Sequence, residues 1–163
     1  EINFIKEFLD EVKNKKNFEI FSLQENFSIY FPRLNTAKHG FIDWNWETEY
    51  IERFICAFDE PYIGASTFIN GLKVQMKNCY TEYNDGAFHP FQAGLIYKIY
   101  NNSVFIASKA GTVIVHKVIN ESKENIIPQL KTGQRFYTKR KYLDKSMEYS
   151  IDYSSGGIKE KPK

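Results

Sequence analysis

The chain has 163 residues, of which 42% are apolar, and a formal net charge of +2 at pH 7. This length and apolar content suit one domain, or two small units, with a buried core. The nearly balanced charge demands neither a nucleic acid nor a membrane surface as partner. No apolar run has the length of a membrane span, and the first residues lack a signal-peptide pattern. We therefore expect a cytoplasmic protein without a membrane partner.

The amino-terminal segment predicts an amphipathic helix over residues 2–13. Its charged residues fall on one face, and the opposite face carries Phe4, Ile5, Phe8, Leu9 and Val12. The polar residues that follow end the helix, and the chain to position 40 is aromatic-rich and hard to assign. We define residues 1–40 as an amino-terminal helix and linker. Because an exposed apolar stripe usually marks an interface, we expect a homodimer or a fold-back onto the rest of the chain.

A second helix and a hairpin follow from residue 50 onward. The helix is predicted over residues 50–58, with one buried face formed by Tyr50, Ile51, Phe54, Ile55 and Phe58. Pro61 stops it. Asn70-Gly71 supplies the two residues with positive φ that a type I′ turn requires, so residues 67–69 and 72–74 are predicted to pair as a hairpin.

The stretch 41–71 contains several short blocks in a fixed order. They are Ile42-Asp43-Trp44, Ile51-Glu52-Arg53-Phe54-Ile55, Ala57-Phe58, Pro61-Tyr62, Gly64-Ala65 and Phe68-Ile69-Asn70-Gly71. In their order and spacing these blocks closely resemble the start of the carboxy-terminal domain of the folate-dependent formyltransferases, the family of methionyl-tRNA formyltransferase and the sugar N-formyltransferases. The resemblance implies that residues 2–40, with Gln24 and the cluster Tyr30, Pro32 and Arg33, are the family's linker. It also implies that the chain begins near the end of a catalytic domain.

Several further strands are predicted beyond the hairpin. A strand over residues 73–83 should alternate, with Val74, Met76 and Asn78 on one face and Gln75, Lys77 and Cys79 on the other. Three more follow at 94–100, 104–108 and 112–119, joined by turns short enough for antiparallel neighbours. The pattern predicts a β-rich α+β domain, and the resemblance implies a small barrel of the oligonucleotide/oligosaccharide-binding (OB) type.

The domain is expected to span residues 41–137. A closing segment from Pro128 to Tyr137 is indicated by Gly133-Gln134-Arg135-Phe136, which resembles the end of the family's domain. Residues 138–163 are rich in lysine, and serine and glycine become frequent near the end. We therefore expect a basic, partly disordered tail, loose from Ser154 onward.

The sequence indicates no catalytic residue. In the family, formyl transfer uses an asparagine, a histidine and an aspartate of a separate amino-terminal domain, and none of their motifs is present. His89-Pro90 is followed by Phe91-Gln92 and does not match the catalytic motif. The resemblance thus implies that 10-formyltetrahydrofolate binds in the missing catalytic domain and that this chain binds no cofactor itself.

Metal-site and redox patterns are absent as well. No two histidines among His39, His89 and His116 share ligand spacing with an acid or a thiol, so no metal site is predicted. Cys56 and Cys79 lack the close spacing of a metal knuckle or a redox pair, and we interpret both as reduced and structural.

The residues of the family-like motif are interpreted as structural. Asp43 is expected to accept hydrogen bonds near the helix start, although a carboxylate in an aromatic pocket is the alternative. Trp44 and Trp46 should pack the helix on the barrel. Arg53 is expected to pair locally or to face the catalytic domain, and the remaining motif positions are Gly64, Asn70 and Gly71.

Basic residues interleave with aromatic residues after the barrel, as phosphate contacts and base stacking require. Lys73 and Lys77 add charge on one side of a strand. The candidate acceptor-binding residues are Arg135, Lys139, Arg140, Lys141, His89 and Gln92. In the family's tRNA enzymes this domain holds the acceptor arm, whereas Phe88 to Gly94 is more like the sugar-formylating branch, so methionyl-tRNA and a nucleotide sugar both remain possible acceptors.

We interpret the chain as a non-catalytic carboxy-terminal formyltransferase domain that serves acceptor binding or assembly beside a catalytic domain. The alternative is a stand-alone OB-type module that binds nucleic acid or carbohydrate.

Overall fold

The computed structural model describes residues 2–19, 21–22, 24–29, 31, 34–154 and 157–161. The linker cluster Tyr30, Pro32 and Arg33 lies outside these residues. The chain divides into two compact units, Glu1–Phe31 and Pro32–Lys163.

The first unit contains the predicted amphipathic helix. Helix α1 spans Ile2–Lys13, and a short 3-10 helix spans Glu25–Phe27. The ring of Phe8 lies 5.6 Å from that of Phe18, centre to centre. All five side chains of the apolar stripe are exposed, from 47% at Val12 to 74% at Phe4. The periodicity thus located the helix correctly.

The second unit is built on a five-stranded antiparallel sheet. Its strands are β1 Ala65–Ile69, β2 Leu72–Glu82, β3 Ile96–Tyr100, β4 Ser103–Ala107 and β5 Thr112–Ile119. Their order is β1-β2-β5-β4-β3. The predicted β-rich α+β class is confirmed.

Two turns of the sheet use left-handed residues. Asn70 and Gly71 have φ values of 50° and 82°, and Ile69 pairs with Leu72 across them. Asn101 and Asn102, between β3 and β4, have φ values of 47° and 56°. Two successive residues with positive φ define a type I′ turn, whose twist matches that of the strands. Both hairpins follow from this local chemistry.

The segment 133–137 joins the two edge strands, β1 and β3. The backbone N–H of Tyr137 donates to the carbonyl of Phe68 on β1, at 2.9 Å. On its other side, Ile96 of β3 donates to the carbonyl of Gln134 at 2.8 Å. Phe136 is fully buried in the core. The predicted closing segment therefore covers exposed backbone at both edges, while assignment to the OB type stays a prediction.

Helix α3 spans Thr48–Ala57 and packs its inner face on the sheet. Ile51 and Ile55 are fully buried, whereas Tyr50 is 57% exposed. Tyr50 was predicted on the buried face, and this placement is wrong because the face centres on Ile51 and Ile55. The Thr48 hydroxyl lies 2.8 Å from that of Ser108, which fastens the start of the helix to the turn after β4.

Strand β2 does not alternate as predicted throughout its length. Val74 and Met76 belong to the core, as expected. Asn78 has a φ of 51° and is exposed, and Cys79 packs against the core instead. The predicted faces of Asn78 and Cys79 are therefore wrong, because a left-handed residue breaks the two-residue period of a strand.

The segment 138–163 contains regular structure. Helix α4 spans Arg140–Glu148, and β6 Ser150–Ser154 pairs with β7 Gly157–Lys161. Leu143 and Ile151 are each only 7% exposed, so the segment that was predicted as a partly disordered tail packs into the unit up to Ile151. Positions 155–156 and 162–163 of that predicted tail lie outside the described residues.

A short helix, α2 Thr36–His39, precedes α3 and the sheet. The Nε2 atom of His39 lies 3.1 Å from the carbonyl oxygen of Tyr149. The Nδ1 atom of the same ring accepts from the backbone N–H of Asn35 at 2.7 Å. These contacts fix Nε2 as the donor and join α2 to the chain after α4. None of the described helices has the length and apolarity that crossing a bilayer requires.

Candidate basic and aromatic surface

Three aromatic rings, one each from α4, β1 and the segment before α3, lie close together. The ring of Tyr142 lies 4.6 Å from that of Phe68 and 5.3 Å from that of Phe41, centre to centre. Phe41 and Phe68 are parallel at 6.3 Å. Leu143 is buried on the inner face of α4, which sets the neighbouring Tyr142 against the hairpin. A patch of stacked rings is thus held by a buried anchor.

Lysine ammonium groups lie over two of these rings. The Nζ of Lys73 is 5.0 Å from the centre of the Phe41 ring, and that of Lys141 is 5.1 Å from the centre of Tyr142. A cation within about 6 Å of a ring face is attracted by its quadrupole. The patch therefore holds positive charge directly beside aromatic surface.

Two adjoining grooves border Tyr142. The smaller, of about 240 Å³, is lined by Phe68, Asn70, Gly71, Arg135, Tyr137, Lys139 and Tyr142. The larger, of about 520 Å³, includes Lys73 and one carboxylate, Glu121. We call the set Phe41, Phe68, Lys73, Arg135, Tyr137, Lys139 and Tyr142 the Tyr142 surface. It brings three cations and four aromatic rings together.

Arg135 connects this surface to the loop that follows β2. Its guanidinium donates to the backbone carbonyl of Phe91 and lies 5.0 Å from the centre of the Phe91 ring. His89 caps the 3-10 helix Pro90–Gln92 by accepting from the backbone N–H of Phe91 at 3.2 Å. The Gln92 side chain accepts from the backbone N–H of His89 at 2.9 Å. His89 and Gln92 thus shape the loop that holds Arg135.

The other predicted cations are placed differently. Arg140 pairs with Asp144 at 2.9 Å along α4, which offsets much of its charge. Lys77 is 5% exposed and pairs with Glu60 at 2.8 Å. Lys77 therefore does not extend the charge of Lys73 along β2.

Sequence reasoning did not identify Phe41 and Phe68 as part of a surface with Tyr142. Both lie in or beside the family-like motif, where apolar residues predict a core. Their contact with Tyr142 joins positions far apart in the chain, so no local pattern marks it.

The motif residues Asp43, Trp44 and Trp46 have structural contacts. Asp43 Oδ1 accepts from the backbone N–H and the side-chain amide of Asn45, at 2.9 and 2.8 Å. Trp44 is 4% exposed, and Trp46 packs edge-on against Phe54 of α3 at 4.9 Å. These contacts fix the entry to α3.

Arg53 and Gly64 also have local roles. Arg53 pairs with Glu49 one turn earlier on the exposed side of α3. Gly64 has a φ of 102°, and a Cβ there would lie 2.9 Å from the carbonyl oxygen of Met76. Glycine is required because both the conformation and the space exclude a side chain.

The remaining titratable groups form no metal site among the described residues, where no three histidine, cysteine or acidic side chains cluster. The Nδ1 of His116 lies 2.8 Å from the Ser103 hydroxyl. Burial raises the pKa of Tyr97 to about 12, and its hydrogen bond to Asp85 adds to the shift. No histidine or carboxylate lines the smaller groove at Tyr142.

Comparison with known proteins identifies one family. The sequence model described as "Formyl transferase, C-terminal domain" matches residues 35–134. No curated protein matches significantly.

Among solved structures, HypX from Aquifex aeolicus is similar in fold. One HypX variant aligns with a TM-score of 0.56 at 16% identity, over 91% of this chain and 28% of HypX. HypX in complex with tetrahydrofolic acid aligns with a TM-score of 0.53 at 19% identity, over the same shares. The chain thus spans about 28% of the length of these structures, and at this identity the likeness concerns the fold.

Proposed function

The chain belongs to the formyl transferase C-terminal domain family, and from this membership we propose that it is the non-catalytic carboxy-terminal domain of a formyltransferase. The proposed enzyme transfers a formyl group from 10-formyltetrahydrofolate to an amine. The family match over residues 35–134 supports this proposal, as does a similar fold in HypX, whose structure includes tetrahydrofolic acid. The catalytic domain is the proposed partner.

The formyl donor is proposed to bind in the catalytic domain. The smaller groove at Tyr142 contains Arg135 and Lys139 but no histidine or carboxylate, a set of residues that suits phosphate contacts better than formyl transfer. The purified chain, given 10-formyltetrahydrofolate and an acceptor amine, is expected to form no formylated product.

The Tyr142 surface is the proposed contact for the acceptor. The observation that carries this proposal is the convergence of Arg135 and Lys139 in one groove with Tyr137 and Tyr142. Cations attract phosphates, and exposed rings stack with bases. Tyr137 is 58% exposed, which leaves its ring available for stacking. The surface therefore suits an acceptor that bears a nucleotide, either methionyl-tRNA or a nucleotide-linked amino sugar.

The test is a binding titration of the purified chain with fluorescent tRNA and, separately, with a fluorescent nucleotide-linked amino sugar. Arg135→Glu with Lys139→Glu should weaken binding of the true acceptor by about tenfold or more. For tRNA, the slope of log binding constant against log salt concentration should become shallower by about one unit for each lost phosphate contact.

The matched control is Lys109→Glu with Lys117→Glu, which makes the same change in charge. Lys109 follows β4 near the start of α3, and Lys117 is exposed on β5; neither lines the grooves at Tyr142. Equal weakening by both double variants would mean that net charge alone drives binding. That result would contradict an acceptor contact at the Tyr142 surface.

A further inference from the structure

Two cysteines that are 23 positions apart in the chain meet between α3 and β2. The Sγ atoms of Cys56 and Cys79 are 4.0 Å apart. Cys56 lies in the last turn of α3, and Cys79 lies within β2. This pair contributes nothing to the Tyr142 surface, and its chemistry is independent of acceptor binding.

The backbone explains how the two thiols come together. A regular strand would place Cys79 on the face opposite Met76, because side chains alternate. Asn78, with a φ of 51°, interrupts the alternation. Its backbone N–H donates to the Asp59 carboxylate at 2.6 Å, which fixes the irregular residue beside the end of α3. Cys79 consequently faces the helix, with its Sγ 3.8 Å from the carbonyl oxygen of Glu52.

The two thiols differ in access. Cys56 is exposed, and Cys79 is half-buried. Burial raises the pKa of the Cys79 thiol, and the adjacent Cys56 and the carboxylates of Glu52 and Asp59 add to the shift. The thiolate is the nucleophile, and the raised pKa keeps Cys79 mostly protonated. Cys56, which is exposed, is therefore the thiol that reacts first with an external reagent.

We propose that Cys56 and Cys79 form a reactive dithiol site that takes the disulfides of small thiols as substrates and closes to an intramolecular disulfide. The site is a place of covalent modification, at which Cys56 attacks and Cys79 resolves.

The reaction proceeds by two exchanges. The Cys56 thiolate attacks one sulfur of the external disulfide, forms a mixed disulfide, and releases the first small thiolate. Cys79 then loses its proton and attacks the Cys56 sulfur, which releases the second small thiolate. The two protein thiols are oxidised by two electrons, the external disulfide is reduced to two thiols, and the two protons end on those products.

The distance is compatible with closure. A disulfide bond has an S–S length of about 2.05 Å, so the sulfurs must approach by about 2 Å. Helix α3 ends at Ala57, directly after Cys56, and the terminal turn of a helix opens more easily than its centre. Movement of that turn would bring Cys56 closer to Cys79.

The raised pKa of Cys79 has a kinetic consequence. Because little of Cys79 is a thiolate at neutral pH, the second exchange is limited by deprotonation of Cys79. Closure of the mixed disulfide should therefore accelerate as pH rises.

The experiment uses the native chain and glutathione disulfide as the probe, with samples quenched by acid over time and analysed by intact mass and non-reducing peptide mapping. We expect a glutathione adduct on Cys56 first, and then a species lighter than the reduced chain by two hydrogens with linked Cys56 and Cys79 peptides. Cys79→Ser should stop at the adduct, and Cys56→Ser should form neither species.

The proposal is overturned if the unmodified chain keeps both thiols free, or if it carries the adduct without ever forming the linked peptides. It is also overturned if the linkage joins two chains, as seen by a doubled mass. Circular dichroism of each serine variant checks that the fold is retained, and the unmodified chain alone decides the outcome if a variant fails to fold.

Discussion

The indole N–H of Trp44 donates a hydrogen bond to the hydroxyl of Thr67, with an N–O distance of 3.0 Å. The Thr67 oxygen also lies 3.0 Å from the hydroxyl of Thr138, just after the closing segment. Trp44 stacks on Phe136 at 6.0 Å, centre to centre. A single buried side chain thus connects the family-like motif, strand β1 and the segment that joins the sheet edges.

Trp44→Ala is expected to lower the free energy of unfolding by about 3 to 5 kcal/mol, the usual cost of truncating a buried aromatic. Trp46→Ala should cost less, because Trp46 is only half-buried where it packs on Phe54, whereas Trp44 is buried. Urea unfolding followed by circular dichroism measures both. Equal losses in the two variants would contradict the central position of Trp44.

Gly94→Ala should be far more destabilising than Gly133→Ala. Both glycines have positive φ values, of 80° and 90°, but a Cβ at Gly94 would lie 2.1 Å from the carbonyl oxygen of Phe136, whereas nothing lies within 4 Å at Gly133. Gly133→Ala should therefore cost about 1 to 2 kcal/mol from backbone strain alone. Gly94→Ala should exceed about 4 kcal/mol, as measured by urea unfolding. Similar costs would mean that the approach of Gly94 to Phe136 is not required.

The stability of the chain should fall as pH rises from 10 to 12, partly through Tyr97. Burial raises the pKa of Tyr97 to about 12 from its ordinary value of 10, so the unfolded chain releases this proton first. Between pH 10 and pH 12 the unfolded state binds fewer protons than the folded state. The free energy of unfolding therefore decreases as pH rises. The stabilisation from protonated Tyr97 is fully present below pH 10 and is lost as pH passes 12.

Tyr97→Phe should reduce this slope in urea unfolding at a series of pH values. Tyr100→Phe, which removes a hydroxyl from a side chain that is 60% exposed, serves as the control and should leave the slope in place. An unchanged slope in Tyr97→Phe would assign the pH dependence to other groups.

The apolar stripe of α1 is proposed to mediate a homodimer. Phe8→Glu with Leu9→Lys replaces two exposed apolar side chains without changing the net charge, and it should shift sedimentation from dimer to monomer. Charged groups buried at an apolar interface are costly to desolvate. Lys6→Glu with Glu7→Lys, also neutral in sum, should leave the dimer intact. A monomeric unmodified chain at high concentration would refute this proposal.

Local chemistry allowed much of the fold to be predicted from the sequence. The apolar period located α1 and α3, and Asn70-Gly71 indicated its hairpin because these residues tolerate positive φ. The family-like blocks identified the domain. The predictions for Asn78 and Cys79 were wrong for a local reason as well, since strand periodicity assumes regular geometry and Asn78 departs from it. Tyr50 is exposed because the buried face of α3 centres on Ile51 and Ile55.

The sequence by itself determined α1, α3, the five strands of the main sheet, the Asn70-Gly71 turn and the family, because each depends on neighbours within a few residues, whereas α4 and the β6–β7 pair were not predicted. Only the tertiary structure decided the pairing of Cys56 with Cys79, the joining of the sheet edges by residues 133–137, and the meeting of Phe41, Phe68 and Tyr142. The physical reason is that these contacts join distant segments. Their partners are selected by how the whole core packs, which no local pattern records.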